Sequence, residues 1–296
     1  MAGTLNKSTL FPPQLTGELL NLVRGKSSIA RLSNRAPIQF NGTEIMTFNF
    51  DNKVDIVAES GAKGVGGATI NPVTIVPYKI EYGTRVSDEF LYASEEVRMN
   101  TLREFADGFA RAAAEGLDIM AFHGLVPKSG QPSTVVGNNH FDYAVSQTVE
   151  RTASANADVE SAIALVQGNE HEVTGMAMSP SFRSALAGEL KSNGDPMFPT
   201  LSWGSQPDTI NGLAVDTNHT VSFGTNTKDE AIVGNFRDYL RWGVAKDIEI
   251  KVIEYGDPDN TGRDLQGHNE IYMRGEMYVG YGILVPNAFA RIGDFV

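Results

Sequence analysis

The stretch from Asn71 to Gly124 constrains this chain more than any other. Asn71 to Val86 predicts a long strand, and Ser87 to Gly124 then holds Ser87-Asp88-Glu89 and a helical run of roughly thirty residues. Leu102, Phe105, Phe109, Ala112 or Ala113, Gly116, Leu117 and Met120 recur at steps of three and four, lining one helical face with apolar side chains. Arg98, Arg103, Asp107, Arg111, Glu115 and Asp118 fall mostly off that stripe. Ser94 predicts the N-cap, with Glu95 and Glu96 at the positive end of the helix dipole, and Gly124 predicts the stop. At about 1.5 Å per residue such a helix is on the order of 45 Å long. It needs flat partners beside it.

The rest of the chain has the apolar content to supply them. With 296 residues, 41% hydrophobic and 20% charged, a sizeable core and two subdomains of one globular unit are expected. The 24 Lys plus Arg are scattered against 36 Asp plus Glu, a net charge of −12, which disfavours tight phosphate-neutralising DNA binding. Cysteine is absent, excluding a disulfide framework, a thiol nucleophile and a thiolate metal site, as suits a reducing cytoplasm. Residues 1–10 lack the pattern of a secretory signal, and no window reaches about eighteen apolar residues. The chain is therefore expected to be neither secreted by a standard signal nor membrane-spanning. The Asn-x-Ser/Thr matches at Asn6, Asn41 and Asn218 are then chance.

Taken in order, the chain opens with a polar segment ending in Pro12-Pro13. Leu15, Leu19, Leu22 and Val23 then predict a short amphipathic helix, an arm that packs on something else. Pro37 to Phe50 alternates around Asn41-Gly42, a hairpin signal predicting two strands. Val54 to Ala58 and Ala68 to Thr74 flank Gly61, Gly64, Gly66 and Gly67, predicting a long hairpin with a glycine-rich tip. In the strand that follows, apolar side chains switch parity from Val73 and Ile75 to Val76, Tyr78, Ile80, Tyr82 and Val86. A bulge or kink belongs at Val76-Pro77, a natural hinge. Residues 126–152 read as loop, opening a second subdomain. Helices are expected over Asn156 to Gly168 and Ser181 to Leu190. Strands are expected over Val173 to Met178, Leu213 to Asp216, Ala231 to Phe236, Tyr239 to Val244, Ile248 to Ile253 and Ile271 to Val285. The last places Ile271, Met273, Met277, Val279 and Tyr281 on one face and Arg274 and Glu276 on the other.

The chemical motifs are incomplete. Arg24-Gly25-Lys26-Ser27 matches the end of a phosphate-binding loop, but Leu20 stands where its first glycine belongs, and a helix precedes rather than follows. His171-Glu172 begins a zinc-protease string whose second histidine position is Gly175. Asp257, Asp259, Thr261 and Gly262 match the first half of a calcium loop, with His268 where a bidentate Glu is required. An Asp-Pro turn is the simpler reading, and a weak surface cation the alternative. None of the five histidines joins a Ser-His-Asp arrangement, and Trp203 and Trp242 read as core or interface aromatics. No constellation points to an enzyme or a cofactor.

Several strings, in order over residues 20–296, carry a resemblance. They are Asp55-Ile-Val-Ala-Glu59 with the Gly/Lys-rich tip and Val73-Thr-Ile-Val-Pro-Tyr-Lys79; Met178-Ser-Pro-Ser-Phe182 with Leu186, Asn193-Gly194 and Phe198; Ile210-Asn-Gly-Leu-Ala-Val215; Val233-Gly-Asn-Phe236; and Arg274-Gly-Glu-Met through Val285-Pro-Asn-Ala-Phe-Ala-Arg-Ile292. Together they resemble the major capsid proteins of tailed bacteriophages with the Hong Kong 97-type fold. The resemblance implies an α+β fold with an N-terminal arm (1–36), an extended β-hairpin loop (37–76), a peripheral domain with the spine helix and long strands (77–126 and 263–296), and an axial domain (127–262). It implies pentamers and hexamers closing an icosahedral shell around double-stranded DNA held without sequence-specific binding. The protein is then expected in the virion, assembled in the bacterial host cytoplasm.

The implied assembly residues are Lys63, Gly64, Gly66 and Gly67 at the loop tip, Pro77 at the hinge, and Arg274 and Glu276. Some relatives weld neighbours by a Lys–Asn isopeptide bond with a Glu as base, for which Lys63, Asn269 and Glu276 are the matching positions. Seven residues of strand span roughly 23 Å, so Asn269 and Glu276 meet only across chains. A structural salt bridge of Glu276 with Arg274 is the competing reading. Only about twenty residues precede the first matching string, which predicts a separate scaffolding protein. A portal protein and a decoration protein are further partners. An encapsulin-like compartment shell, and a soluble enzyme or binding protein of two α+β subdomains, stay open as alternatives.

Overall fold

Ser94 and Gly124 bracket the longest helix. In the computed structural model, which describes residues 26–50, 54, 56–57, 59–62, 64–224 and 228–295, the spine runs over Glu95–His123. It is α3 here, after α1 (Ser28–Leu32) and α2 (Glu89–Tyr92). The Ser94 hydroxyl accepts from Val97 N, and the Gly124 N–H donates to Met120 O with φ at 65°. A Cβ on Gly124 would lie 2.5 Å from the His140 ring, so both conformation and space demand glycine. Leu102, Phe109, Ala113, Leu117 and Met120 are buried, which selects Ala113 over the exposed Ala112. One expectation fails on this helix: Asp118, grouped with the off-stripe residues, is wholly buried.

The flat partner is a four-stranded sheet in the order β1-β10-β11-β4. Its strands are β1 (Asn34–Arg35), β4 (Tyr78–Ser87), β10 (Leu240–Ile253) and β11 (Glu270–Ile283). Two antiparallel ladders join the last three. Period-2 alternation aims Met273, Met277, Val279 and Tyr281 at the core and leaves Arg274 and Glu276 on the opposite face. Gly275 lets the Phe109 ring of the spine lie on β11, since a Cβ there would approach it to 2.9 Å. A second seam packs Ala106, Ala110 and Ala114 against Ile248 and Ile250. The two strands expected at Tyr239 to Val244 and Ile248 to Ile253 are one, β10. Register shifts between Val244, Lys246 and Glu249 mark irregular pairing where the two expected strands join.

The second sheet, ordered β5-β12-β9-β6-β8-β7, comprises β5 (Thr148–Glu150), β6 (Gly175–Met178), β7 (Thr209–Ile210), β8 (Leu213–Thr217), β9 (Asp229–Gly234) and β12 (Phe289–Gly293). Around it lie α4 (Phe141–Ala144), α5 (Ala155–Gly168), α6 (Pro180–Ala187) and α7 (Phe236–Tyr239). α6 stops before the expected Leu190 because the Gly188 N–H turns back onto Ser184, Ala185 and Leu186 carbonyls. The chain crosses between these two sheets three times: from β4 to β5, back from β9 to β10, and again from β11 to β12.

β2 (Thr43–Phe50) and β3 (Ala68–Ile75) form the third sheet, among the described residues pairing only with each other. Here two expectations are corrected. Asn41-Gly42 does turn, with Gly42 at φ 92°, but residues 36–40 before it form no strand: Ile38 is buried against Gly243 and Gly280, whose missing side chains make room. Among its described residues, Val54 to Ala58 is not a strand either. β2 takes the pairing with β3 instead. The kink is where parity placed it: β3 ends at Ile75, β4 starts at Tyr78, both are buried, and Val76 between them is half exposed. The amphipathic arm around Leu15 to Val23 lies outside the described residues.

Candidate assembly surfaces

The β2/β3 ribbon is the least self-sufficient element. Met46, Phe48 and Ile70 along it are 58%, 61% and 51% exposed, and beyond it Val54, Ile56 and Val65 are almost fully so. A two-stranded ribbon is marginal alone in water, and contiguous exposed apolar surface marks a contact face. The tip glycines Gly64, Gly66 and Gly67 are exposed. Lys63 lies outside the described residues. Pro77 sits in the break that joins the ribbon to the body.

On the sheet face away from the spine, Glu249, Glu276 and Glu81 stand side by side across β10, β11 and β4. Glu276 is buried among cations: Arg274 Nε at 2.9 Å, Lys79 Nζ at 3.3 Å and Lys251 Nζ at 3.6 Å. Burial raises its carboxyl, but Lys79, Arg274 and Lys251 outweigh that and hold it below its usual range. Asn269 is exposed at the end of a 3₁₀ turn over Gln266–His268, with φ 53°, its carbonyl accepting from Asp88 N at 2.9 Å. The fold thus brings Arg274 and Glu276 together and leaves Asn269 at the strand's start.

Asp257 and Asp259 do surround a cation, the guanidinium of Arg85 on β4. Its Nε donates to Asp259 Oδ2 (2.8 Å) and its Nη1 to Glu270 Oε2 (2.9 Å). Nη2 donates to Asp257 Oδ1 (2.8 Å), Thr261 Oγ1 (2.7 Å) and Arg263 O (2.9 Å). Arg85 holds the Asp259 carboxyl well below the carboxylate range. The calcium-loop likeness was a likeness to a cation cage, and strand β4 supplies the cation.

Two buried clusters were missed. Asp118 accepts from Ser27 Oγ, Ser28 N (2.8 Å), Ile29 N (3.1 Å), Asn218 Nδ2 (3.1 Å) and Thr220 Oγ1 (3.1 Å). It fills the N-terminus of α1, so a helix does follow Ser27, but its anion comes from the chain itself. Burial pushes the Asp118 carboxyl up to about 7 against these donors. Five residues further along the spine, at its last residue, the two ring nitrogens of His123 face Thr220 O (2.9 Å) and Asp142 Oδ2 (3.0 Å). Arg291 Nε donates to both Asp229 oxygens (3.1 and 3.0 Å), and Nη2 pairs with Asp142 (3.0 Å). Burial and the Asp142 charge raise Asp229 to about 7. His123, Asp142 and Asp229 are the one metal-like grouping among the described residues, and Arg291 already supplies its positive charge. No local spacing announces either cluster, because the partners lie up to 149 positions apart.

A helix laid on a long-stranded sheet, with an apolar ribbon projecting from it, defines a subunit built to lie against copies of itself. A sequence model of the Phage capsid family matches residues 8–293. A solved chain of Mycobacterium phage Ogopogo is similar at 31% identity, covering 91% of this chain and 92% of that one, with a TM-score of 0.78. A chain of Gordonia phage Cozz shares the fold at 24% identity (92% and 87% covered, TM-score 0.76). So does a chain from the capsid of a native GTA particle, at 14% identity (100% and 93% covered, TM-score 0.65). A search of curated proteins found no match. The chain belongs to the Phage capsid family. It is a major capsid protein that forms the head shell of the virion, a structural protein and not an enzyme, which decides among the three readings left open by the sequence. No described helix is long and apolar enough to cross a membrane.

Proposed function

We propose that copies of this chain associate as pentamers and hexamers that close an icosahedral shell around double-stranded DNA. The β2/β3 ribbon of each copy lies across its neighbour. The observation that carries this reading is the ribbon itself, paired with no other strand among the described residues while exposing Met46, Phe48 and Ile70. The net charge of −12 suits a wall that contains DNA without adhering to it. The proposed division keeps residues 37–76 as extended loop and 1–36 as arm. The peripheral domain is kept as 77–126 and 263–296 and the axial domain as 127–262, with β10 of the axial range pairing into the four-stranded sheet and β12 of the peripheral range into the six-stranded one. Motion of the ribbon about Pro77 would let it follow a change of shell size. A scaffolding protein, a portal protein and a decoration protein are the partners proposed for it.

Negative-stain electron microscopy of the chain expressed alone and with neighbouring gene products tests this: capsomer rings or closed shells containing nucleic acid are expected. A uniform monomer under both conditions overturns it. A Lys63–Asn269 isopeptide with Glu276 as base is the rival chemistry at the sheet surface. The three cations on Glu276 favour a structural role for that carboxylate. Purified shells boiled in detergent are expected to run as a single band near 32.0 kDa; a ladder of multiples would establish cross-linking.

A further inference from the structure

An open β-sheet ends at two edges, and each unpaired edge offers a row of N–H and C=O groups to another strand. Among the described residues the three sheets leave six such edges. Three belong to β1, β5 and β7, strands of two or three residues, too short to hold a partner. A fourth belongs to β3, which carries Pro72 in mid-strand, opposite Met46 in a ladder without a register shift. A proline keeps a ladder whole only by turning its nitrogen to the free side, so the outer edge of β3 lacks a donor there. Two long edges free of proline remain: β2, of eight residues, and β4, of ten.

These two edges also match in their apolar faces. Period-2 alternation puts Met46 and Phe48 on one face of β2, where both are more than half exposed. On β4 the same alternation turns Ile80 and Tyr82 to the spine. Ile80 reaches the spine at Gly116, and Tyr82 meets the Phe105 ring with centroids 6.4 Å apart, yet Tyr82 stays 56% exposed. A strand laid beside β4 sets its own apolar side chains next to these two and widens the layer against the spine. The backbone of β2 is aimed to do so. Opposite residues of an antiparallel ladder turn their backbone groups either both inward or both outward. Met46, opposite Pro72, therefore points its N–H and C=O to the free side.

We propose that the free edge of β2 in one copy pairs with the free edge of β4 in the next, extending that copy's four-stranded sheet across the subunit boundary. The occupant is a second copy's ribbon for three reasons. These are the two long edges the described chain leaves open, their apolar faces continue one another, and β2 does not pair with β4 of its own chain. One contact then covers Met46, Phe48 and Tyr82 together. The proposal rests on the reading above, in which the ribbon lies across a neighbour, and names the strand that receives it.

Hydrogen exchange read by mass spectrometry, on shells and on dissociated subunits of the unsubstituted protein, tests the pairing. Peptides covering Thr43–Phe50 and Tyr78–Ser87 are both expected to exchange about tenfold more slowly in shells. Met46→Pro and Met46→Leu give a second readout. Proline removes an outward donor and spares the β2–β3 ladder, so Met46→Pro is expected to melt like the parent subunit and form no shells in sedimentation, while Met46→Leu forms them. Normal shells from Met46→Pro overturn the proposal and leave the shell reading intact. So do shells that protect Thr43–Phe50 but not Tyr78–Ser87, which would put β2 against something other than β4. If Met46→Pro misfolds, the exchange comparison alone decides. Failure of the unsubstituted chain to assemble at all removes the shell reading and the proposal with it.

Discussion

A carboxylate with no exposed surface sits where three segments meet. Asp118 on the spine takes hydrogen bonds from the residues opening α1 and from Asn218 and Thr220 of the six-stranded half. Removing it leaves those buried donors unpaired, and Asp118→Ala is expected to cost about 2–4 kcal/mol in denaturant unfolding. Its carboxyl is raised to about 7 from about 3.9 in the unfolded chain. The folded state therefore holds the proton more tightly. The stability from this group is complete below about pH 4 and is lost as pH rises through 7, at up to about 1.4 kcal/mol per pH unit. Melts between pH 5 and 8 should show that decline, and Asp118→Asn should flatten it. An unchanged slope would assign the titration elsewhere, first to Asp229, which is raised in the same direction. Arg85 acts at the same scale. Its five contacts need a planar fork, so Arg85→Lys is expected to behave like Arg85→Ala. Both should admit protease cutting within residues 256–265; a resistant loop in Arg85→Lys would show that charge alone suffices.

At the scale of elements, the seat of the spine on its sheet depends on what is absent from β11. A side chain at Gly275 meets the Phe109 ring, so Gly275→Val is expected to destabilise by about 1–3 kcal/mol, measured by urea unfolding. A neutral result would mean that the ring moves aside freely. Gly124→Ala combines a left-handed backbone with the His140 clash and should also destabilise. These elements were the readable part of the chain. The spine carries its own cap, stripe and stop, and the Val76-Pro77 kink is written as a change of parity. The misreadings came from pairing. Asn41-Gly42 has the right turn chemistry, yet β2 found its partner in β3, and the preceding Ile38 went into a glycine-lined hollow between β10 and β11.

For the whole molecule, the projecting ribbon sets the expected phenotype. Phe48→Asp leaves the core untouched, since Phe48 is exposed. It should give a folded subunit with unchanged melting that fails to form shells in sedimentation; normal shells would show that the ribbon is not a contact. The local signals of this chain, its periodicities, caps, glycine-rich tip and acidic balance, determined by themselves a long helix needing a flat partner, an α+β architecture and a subunit without a cysteine site. The tertiary structure alone decided which strands pair, that Arg85 fills the Asp257–Asp259 loop, that Asp118 and His123 are buried anchors, and that Trp203 faces outward. The reason is physical: a helix stripe or a turn is specified by neighbours a few residues away, whereas a buried ion pair or an exposed indole is specified by what the rest of the chain brings, or does not bring, to the same place.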